Sequence, residues 1–167
     1  FELVLINGRK FLDNDGDGIA DAGDQGLAGW TIFLDENDNG ILDGGELSTV
    51  TDANGNYAFE NLPPGEYNLR EVQQPGFTQT TVNPAEIIVS SGDDITGLLF
   101  GNFELVLING RKFLDNDGDG IADAGDQGLA GWTIFLDEND NGVLDGGEFS
   151  TVTDANGNYI FENLPPG

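Results

Sequence analysis

Residues 30–46 read Trp30-Thr-Ile-Phe-Leu-Asp35-Glu-Asn-Asp-Asn-Gly40-Ile-Leu-Asp-Gly-Gly-Glu46. The first five are rich in aromatic and β-branched residues and show no helical period, which is strand chemistry. The next twelve put oxygen-bearing side chains at loop positions 1, 3, 5, 9 and 12 (Asp35, Asn37, Asn39, Asp43 and Glu46) and a glycine at position 6. That spacing suits Ca²⁺, a hard cation that gathers about six to eight oxygens from a chain able to turn sharply around it. The main-chain carbonyl of Ile41 supplies position 7 and Glu46 can bind through both oxygens. Helices flank such a loop in an EF-hand. Here a strand leads in, so the stretch predicts an all-β fold whose EF-hand-like calcium loops lack helices.

Working outward, a second loop of the same kind precedes it, at residues 13–24. Asp13, Asp15, Asp17, Gly18, Ile19, Asp21 and Asp24 fill the same positions, with a shorter Asp in place of Glu at position 12. A monodentate contact or a bridging water is expected there. Both loops recur 102 residues later. Asp115, Asp117, Asp119, Ile121, Asp123 and Asp126 repeat the first, and Asp137, Asn139, Asn141, Val143, Asp145 and Glu148 the second. Asp, Asn and Gly also make ordinary solvated turns, but two loops in register per repeat favour about two Ca²⁺ ions per repeat.

Residues 103–167 reproduce residues 1–65 with three exchanges, Ile41 to Val143, Leu47 to Phe149 and Ala58 to Ile160, all apolar. A period of that length is a domain's worth of chain. The expectation is a complete module at 1–102 and a near-identical second one at 103–167 without the counterpart of 66–102. Strand-like stretches at 2–6, 9–12, 30–34, 47–51, 57–60, 66–72, 77–82, 86–90 and 95–100 alternate with Gly, Asn, Asp and Pro clusters. No ten-residue stretch has a helical period, and an Ig-like β-sandwich follows.

Thirty-one acidic residues against five basic ones give a formal charge of −26, which repels nucleic acid and anionic membrane surfaces. Cys and His are absent, so disulfides and the commonest metal ligand and general base are excluded. The longest apolar run, residues 3–6, is far below the roughly 20 residues that span a bilayer. With no Met, residue 1 is not an initiator, and a processed chain or an excerpt of a longer protein is expected.

Thr51-Asp-Ala-Asn-Gly-Asn-Tyr-Ala-Phe59, Asn61-Leu-Pro-Pro-Gly-Glu-Tyr67 and Gln74-Pro-Gly-Phe77 resemble the T-x-x-x-G-x-Y-x-F, L-x-P-G-x-Y and P-x-G-[YF] signatures of B-type repeats in bacterial surface adhesins. With Gly8-Arg-Lys-Phe-Leu-Asp-Asn-Asp-Gly-Asp-Gly18 and Gly26-Leu-Ala-Gly-Trp30, the chain is most similar to the SdrD B-like group. The resemblance implies a prealbumin-like, Cna B-type sandwich, calcium held by Asp-rich loops, and a secreted stalk or fibre module at the cell surface. A related branch of that family forms Lys to Asn isopeptide bonds assisted by a buried Glu, for which the candidates here are Lys10, Asn102 and Glu71. Lys10 also adjoins Arg9 ahead of an Asp cluster, and a lone Lys is usually exposed, so the surface-charge reading is preferred for it.

Trp30, Phe33, Tyr57, Phe59 and Tyr67 read as sandwich core. Phe1, Phe100 and Phe103 flank a joint at Gly101-Asn102 that lacks a flexible spacer, which predicts abutting modules with shared apolar contacts and a stiff rod. The expected function is a calcium-stabilised extracellular structural repeat whose partners are neighbouring repeats or copies in a fibre. A ligand-binding adhesin module with an unidentified host or matrix ligand is the alternative. An enzyme is the weakest reading, because the carboxylates are committed to metal spacing.

Overall fold

The computed structural model describes residues 2–166 of the 167. All its regular elements are strands, and no helix long and apolar enough to cross a membrane occurs among the described residues. The chain divides into two compact units. The first carries β1 (Val4–Leu12), β2 (Thr31–Leu34), β3 (Ser48–Val50), β4 (Asn56–Leu62), β5 (Gly65–Tyr67), β6 (Leu69–Glu71), β7 (Phe77–Gln79), β8 (Ile87–Val89) and β9 (Asp94–Glu104). The second, Val106–Leu164, carries β10 (Val106–Arg111), β11 (Phe113–Leu114), β12 (Gln127–Gly128), β13 (Thr133–Phe135), β14 (Ser150–Val152) and β15 (Asn158–Leu164).

In the first unit one sheet runs β4-β1-β9-β7 and another β3-β2-β6, with β5 and β8 as a separate pair. Alternate residues of each strand turn inward, as the pleat requires. Val4, Ile6, Tyr57, Phe59, Leu62 and Phe100 of the larger sheet meet Ile32, Leu34 and Leu69 of the smaller in one buried cluster, which makes the pair a β-sandwich. β1 is central, antiparallel to β4 and parallel to β9. The second unit pairs β10 with β15, β11 with β12 and β13 with β14.

Several boundaries differ from the pattern expected of the sequence. The stretches 2–6 and 9–12 form one strand, because Asn7-Gly8 continues the ladder across a register shift. Gly8 is needed there: a Cβ would lie 1.9 Å from the Leu98 carbonyl oxygen and 2.4 Å from the Tyr57 hydroxyl. Gly8→Ala is therefore expected to cost about 1–3 kcal/mol through overpacking, read as a lower urea midpoint. An unchanged midpoint would show that β1 and Tyr57 move apart freely. The stretch 66–72 splits at Asn68, whose carbonyl accepts the Asp35 N–H at 2.8 Å.

β9 runs through Gly101-Asn102 to Glu104. Phe100 is fully buried in the first unit's own core, and Phe103 sits opposite Thr78 on β7. The reading of Phe100 and Phe103 as residues of an inter-module joint is thus corrected: both lie on a strand within the first unit. Phe1 lies outside the described residues. The expected core residues Trp30, Phe33, Tyr57 and Phe59 are buried, and Tyr67 packs against the core at its edge.

Candidate functional site

The loops leave the sandwich where the sequence places them, loop 13–24 directly after β1 and loop 35–46 directly after β2. Asp13 and Asp35 are almost fully buried at the strand ends. Asp13 accepts the Gly16 and Gly18 N–H groups, each at 2.8 Å, and Asp35 accepts the Asn39 N–H at 3.1 Å and the Gly40 N–H at 2.8 Å. Gly18 (φ 79°) and Gly40 (φ 76°) take the left-handed conformation that the turn at position 6 demands. Position 12 closes each loop. Asp24 accepts the Asn14 and Asp21 N–H groups at 3.2 and 2.9 Å, and Glu46 accepts those of Glu36 and Asp43 at 2.9 and 2.8 Å.

The two loops are charged differently. In the first, carboxylate oxygens of Asp13, Asp15 and Asp17 lie within 4.8 Å of one another. The Asp17 N–H bond lowers the pKa of Asp15, but burial and the charges of Asp17 and Asp13 together outweigh it and hold that carboxyl above its usual value. In the second, Asn37 and Asn39 donate their amides to Asp43 at 2.9 and 2.8 Å, which hold Asp43 low. Arg70, a residue the loop motif does not reveal, pairs with Asp38 at 2.7 Å. Ile19 and Ile41 stand exposed at position 7. These are hard oxygen donors with excess negative charge, a set that fits Ca²⁺.

The second unit repeats the arrangement. Asp115, Asp117 and Asp119 cluster within the same limit. Asp126 accepts from Asn116 and Asp123, Asp137 from Asn141 and Gly142, and Glu148 from Glu138 and Asp145. Asn139 and Asn141 donate to Asp145, while Ile121 and Val143 are exposed.

A different constellation lies inside the first sandwich. Lys10 on β1, Glu71 on β6 and Asn102 on β9 are 0%, 8% and 0% exposed. The Lys10 Nζ donates to Glu71 Oε2 at 2.6 Å and also to Asn102 Oδ1, while Asn102 Nδ2 donates to Glu71 Oε1 at 2.8 Å. The Trp30 ring lies 4.3 Å from Nζ. The surface-charge reading of Lys10 is therefore wrong. Its strand is enclosed by β4 and β9, and the indole covers the amine. Trp30 was legible as core, but nothing in its spacing shows that it caps a lysine.

Burial lowers the Lys10 pKa to about 8 against the raising influence of Glu71. Burial, helped by the Glu71 charge, also raises the Tyr57 hydroxyl pKa. The lysine value has a consequence for stability. Between about 8 and the ordinary 10.5 the unfolded chain holds the Lys10 proton and the folded chain does not, so stability rises with pH across that window and is lower beneath it. In Asn102→Ala, which keeps the amine beside Glu71, the urea midpoint should climb from pH 8 to 10.5. Adding Lys10→Met should abolish that climb; a climb that survives would assign it to another group.

The loops and the triad share strands. The Asp13 N–H bonds the Asn102 carbonyl at 2.9 Å, and Asp35 binds Asn68 three residues before Glu71. A family model described as "SdrD B-like domain" matches residues 6–98 and 107–167. The chain is 31% identical over 93% of its length to serine-aspartate repeat-containing protein F of Staphylococcus epidermidis (strain ATCC 12228 / FDA PCI 1200). It is also 31% identical, over 93%, to serine-aspartate repeat-containing protein C of Staphylococcus aureus (strain MRSA252). It spans 10% and 18% of those relatives. Among solved structures it is similar to the Bacillus anthracis TIE protein (TM-score 0.48, 17% identity, 99% of this chain and 29% of that one). A streptococcal ancillary pilin gives a TM-score of 0.47 at 18% identity, over 97% of this chain and 50% of the pilin.

Proposed function

Because the chain belongs to the SdrD B-like domain family, we propose that it is an extracellular structural repeat, a stalk or fibre module of a cell-surface protein, held against unfolding by two devices. One is an amide bond between Lys10 and Asn102. The other is Ca²⁺ in the loops 13–24 and 35–46 and their counterparts 115–126 and 137–148. The two units, divided at Leu105 and Val106, then act as successive modules, with neighbouring repeats or further copies as partners.

The buried triad carries this reading. A lysine inside a sandwich is costly while charged, and the same burial prepares it as a nucleophile, since only the neutral amine has a free electron pair. A proton passes from the ammonium along the 2.6 Å bond to Glu71. The amine then attacks Asn102 Cγ, and Glu71, already bonded to Asn102 Nδ2 at 2.8 Å, returns a proton to that nitrogen. Glu71 relays in turn the second proton that the attacking Nζ sheds, the C–Nδ2 bond breaks, the nitrogen leaves as ammonium carrying both protons, and the Nζ–Cγ amide remains. No oxidant or cofactor is needed, and the carboxyl ends as it began.

For calcium, the Asp13, Asp15 and Asp17 oxygens that crowd one another would hold the ion with Asp21, Asp24 and the Ile19 carbonyl. In the second loop Asp35, Asn37, Asn39, Asp43, Glu46 and the Ile41 carbonyl would do so. The ion supplies charge neutralisation there and ties strand ends together.

Intact mass measurement of the folded chain tests the crosslink. The expected value is the sequence mass less one ammonia, since the described residues of the second unit hold Lys112 but no counterpart of Glu71 or Asn102. The full sequence mass after prolonged folding would defeat the crosslink and leave the triad as a buried polar contact.

A further inference from the structure

A cavity of about 470 Å³ opens at the end of the first sandwich, where β2 gives way to loop 35–46, where β4 ends and where β5 pairs with β8. Leu34 and Leu62, 4% and 5% exposed, form its floor. The half-exposed Leu47 and the edge residue Tyr67 wall it, and the Tyr67 hydroxyl donates to the Pro63 carbonyl at 2.6 Å, which fixes the ring. Three exposed carboxylates, Glu36, Glu66 and Glu86, stand around this apolar surface. Asp35 also borders it, but its carboxylate is turned into its own loop, onto the Asn39 and Gly40 N–H groups. Among the described residues none of the three glutamates pairs with a lysine or arginine.

We propose that this cavity is a docking site for an arginine-bearing segment of a different protein chain, with an apolar residue next to the arginine. A concave apolar surface with a few charged groups at its rim is the common form of a binding site, and the rim sets the sign of what it takes. An arginine lays its aliphatic stem along apolar side chains while its guanidinium donates to carboxylates in pairs. Lysine brings the same charge as a compact point without that fork. A second copy of this chain does not fit, because its own cations are engaged. Arg9 donates to the Asn54 and Asp24 carbonyls, Lys10 to Glu71 and Asn102, and Arg70 to Asp38. Arg111 donates to the Asn156 and Asp126 carbonyls, and Lys112 lies against the Trp132 ring. Copies with a formal charge of −26 also repel one another, whereas the same field draws a cationic partner in. The site adds a binding role to the structural one and rests on neither the amide bond nor a bound ion.

The test is isothermal titration of the full chain, in calcium, with an acetylated and amidated peptide of sequence Gly-Leu-Arg-Leu-Gly and with its Arg-to-Gln counterpart. Saturable one-to-one binding is expected, with the amide resonances of Glu36, Leu47 and Tyr67 shifting as the peptide is added. The Gln peptide should bind about tenfold more weakly. Glu66→Gln with Glu86→Gln should weaken the arginine peptide by about tenfold, through two lost exposed ion pairs, and Leu47→Ser by about fivefold through lost apolar contact. Glu60→Gln with Glu104→Gln removes the same charge from exposed positions outside the cavity and should change the affinity by less than about twofold in physiological salt. Equal losses for the two double variants would assign binding to the overall field and overturn the proposal. Equal affinity for the two peptides, or no saturable binding, would overturn it as well. Binding found in chelator but abolished by calcium would also overturn it and assign the glutamates to the metal ion.

Discussion

Asn102→Ala should raise the mass of the chain relative to the crosslinked parent, beyond the side-chain difference, by the ammonia it no longer loses, and should lower the melting temperature by roughly 20–35 °C. The two partners are 92 residues apart. A covalent link that closes a loop of that length removes about 4.5 kcal/mol of chain entropy from the unfolded state in the loop-closure picture. Each kcal/mol shifts the melting point of a domain of this size by about 4–8 °C. Asn102→Ala is preferred to a Lys10 substitution, which would strand Glu71 as an unpaired buried acid. Glu71→Gln is the complementary variant. It keeps the shape but offers an acceptor to only one of the two donors and cannot carry a proton, so its mass should match the full sequence and its melting point should fall into the same range. If both variants melt lower while the parent itself retains the ammonia, the lost stability belongs to buried hydrogen bonds and the amide is absent.

The turns of loops 13–24 and 35–46 were legible in the sequence because every hydrogen bond that closes them lies within twelve consecutive residues, so spacing alone encodes their geometry. The strands were legible for a related reason, since alternation is local. Errors arose where a distant part of the chain decides the outcome. Gly8 reads as punctuation, yet it continues β1 because Tyr57 and Leu98 cross it. Residues 66–72 read as one strand, yet Asn68 turns its carbonyl to Asp35. The triad is the extreme case, with members 61, 31 and 92 positions apart. A lysine is an exposed residue by habit, and only the closure of β1 between β4 and β9 under the Trp30 ring reverses that. In the second unit the identical residues Val106 and Ile108 are about half exposed where, among the described residues, β10 pairs with β15 alone.

Asp15→Asn should lower the melting temperature of the chain by roughly 10–20 °C in calcium at a hundred times the dissociation constant, on the order of 10–100 mM, and leave it unchanged or slightly raised in chelator. The difference between the two conditions isolates the ion. An ion present at a hundred times its dissociation constant stabilises the fold by about 2.7 kcal/mol, and extracellular loops of this kind commonly bind at about 10⁻⁴ to 10⁻³ M. Without the ion, Asp15 is a liability, because the Asp13 and Asp17 charges beside it help to hold its carboxyl above the usual value. Neutralising it relieves that repulsion. Asp13→Ala is the less clean choice: Asp13 also accepts the Gly16 and Gly18 N–H groups at the strand end, so its loss should weaken the loop even in chelator. Asp35→Ala should behave like Asp13→Ala, since Asp35 accepts the Asn39 and Gly40 N–H groups. Equal losses for Asp15→Asn with and without calcium would reduce the first loop to an acidic turn. A loss confined to calcium would make ion binding at that loop a part of the folding free energy, and the Asp13 N–H bond to the Asn102 carbonyl would carry that stabilisation directly onto β9.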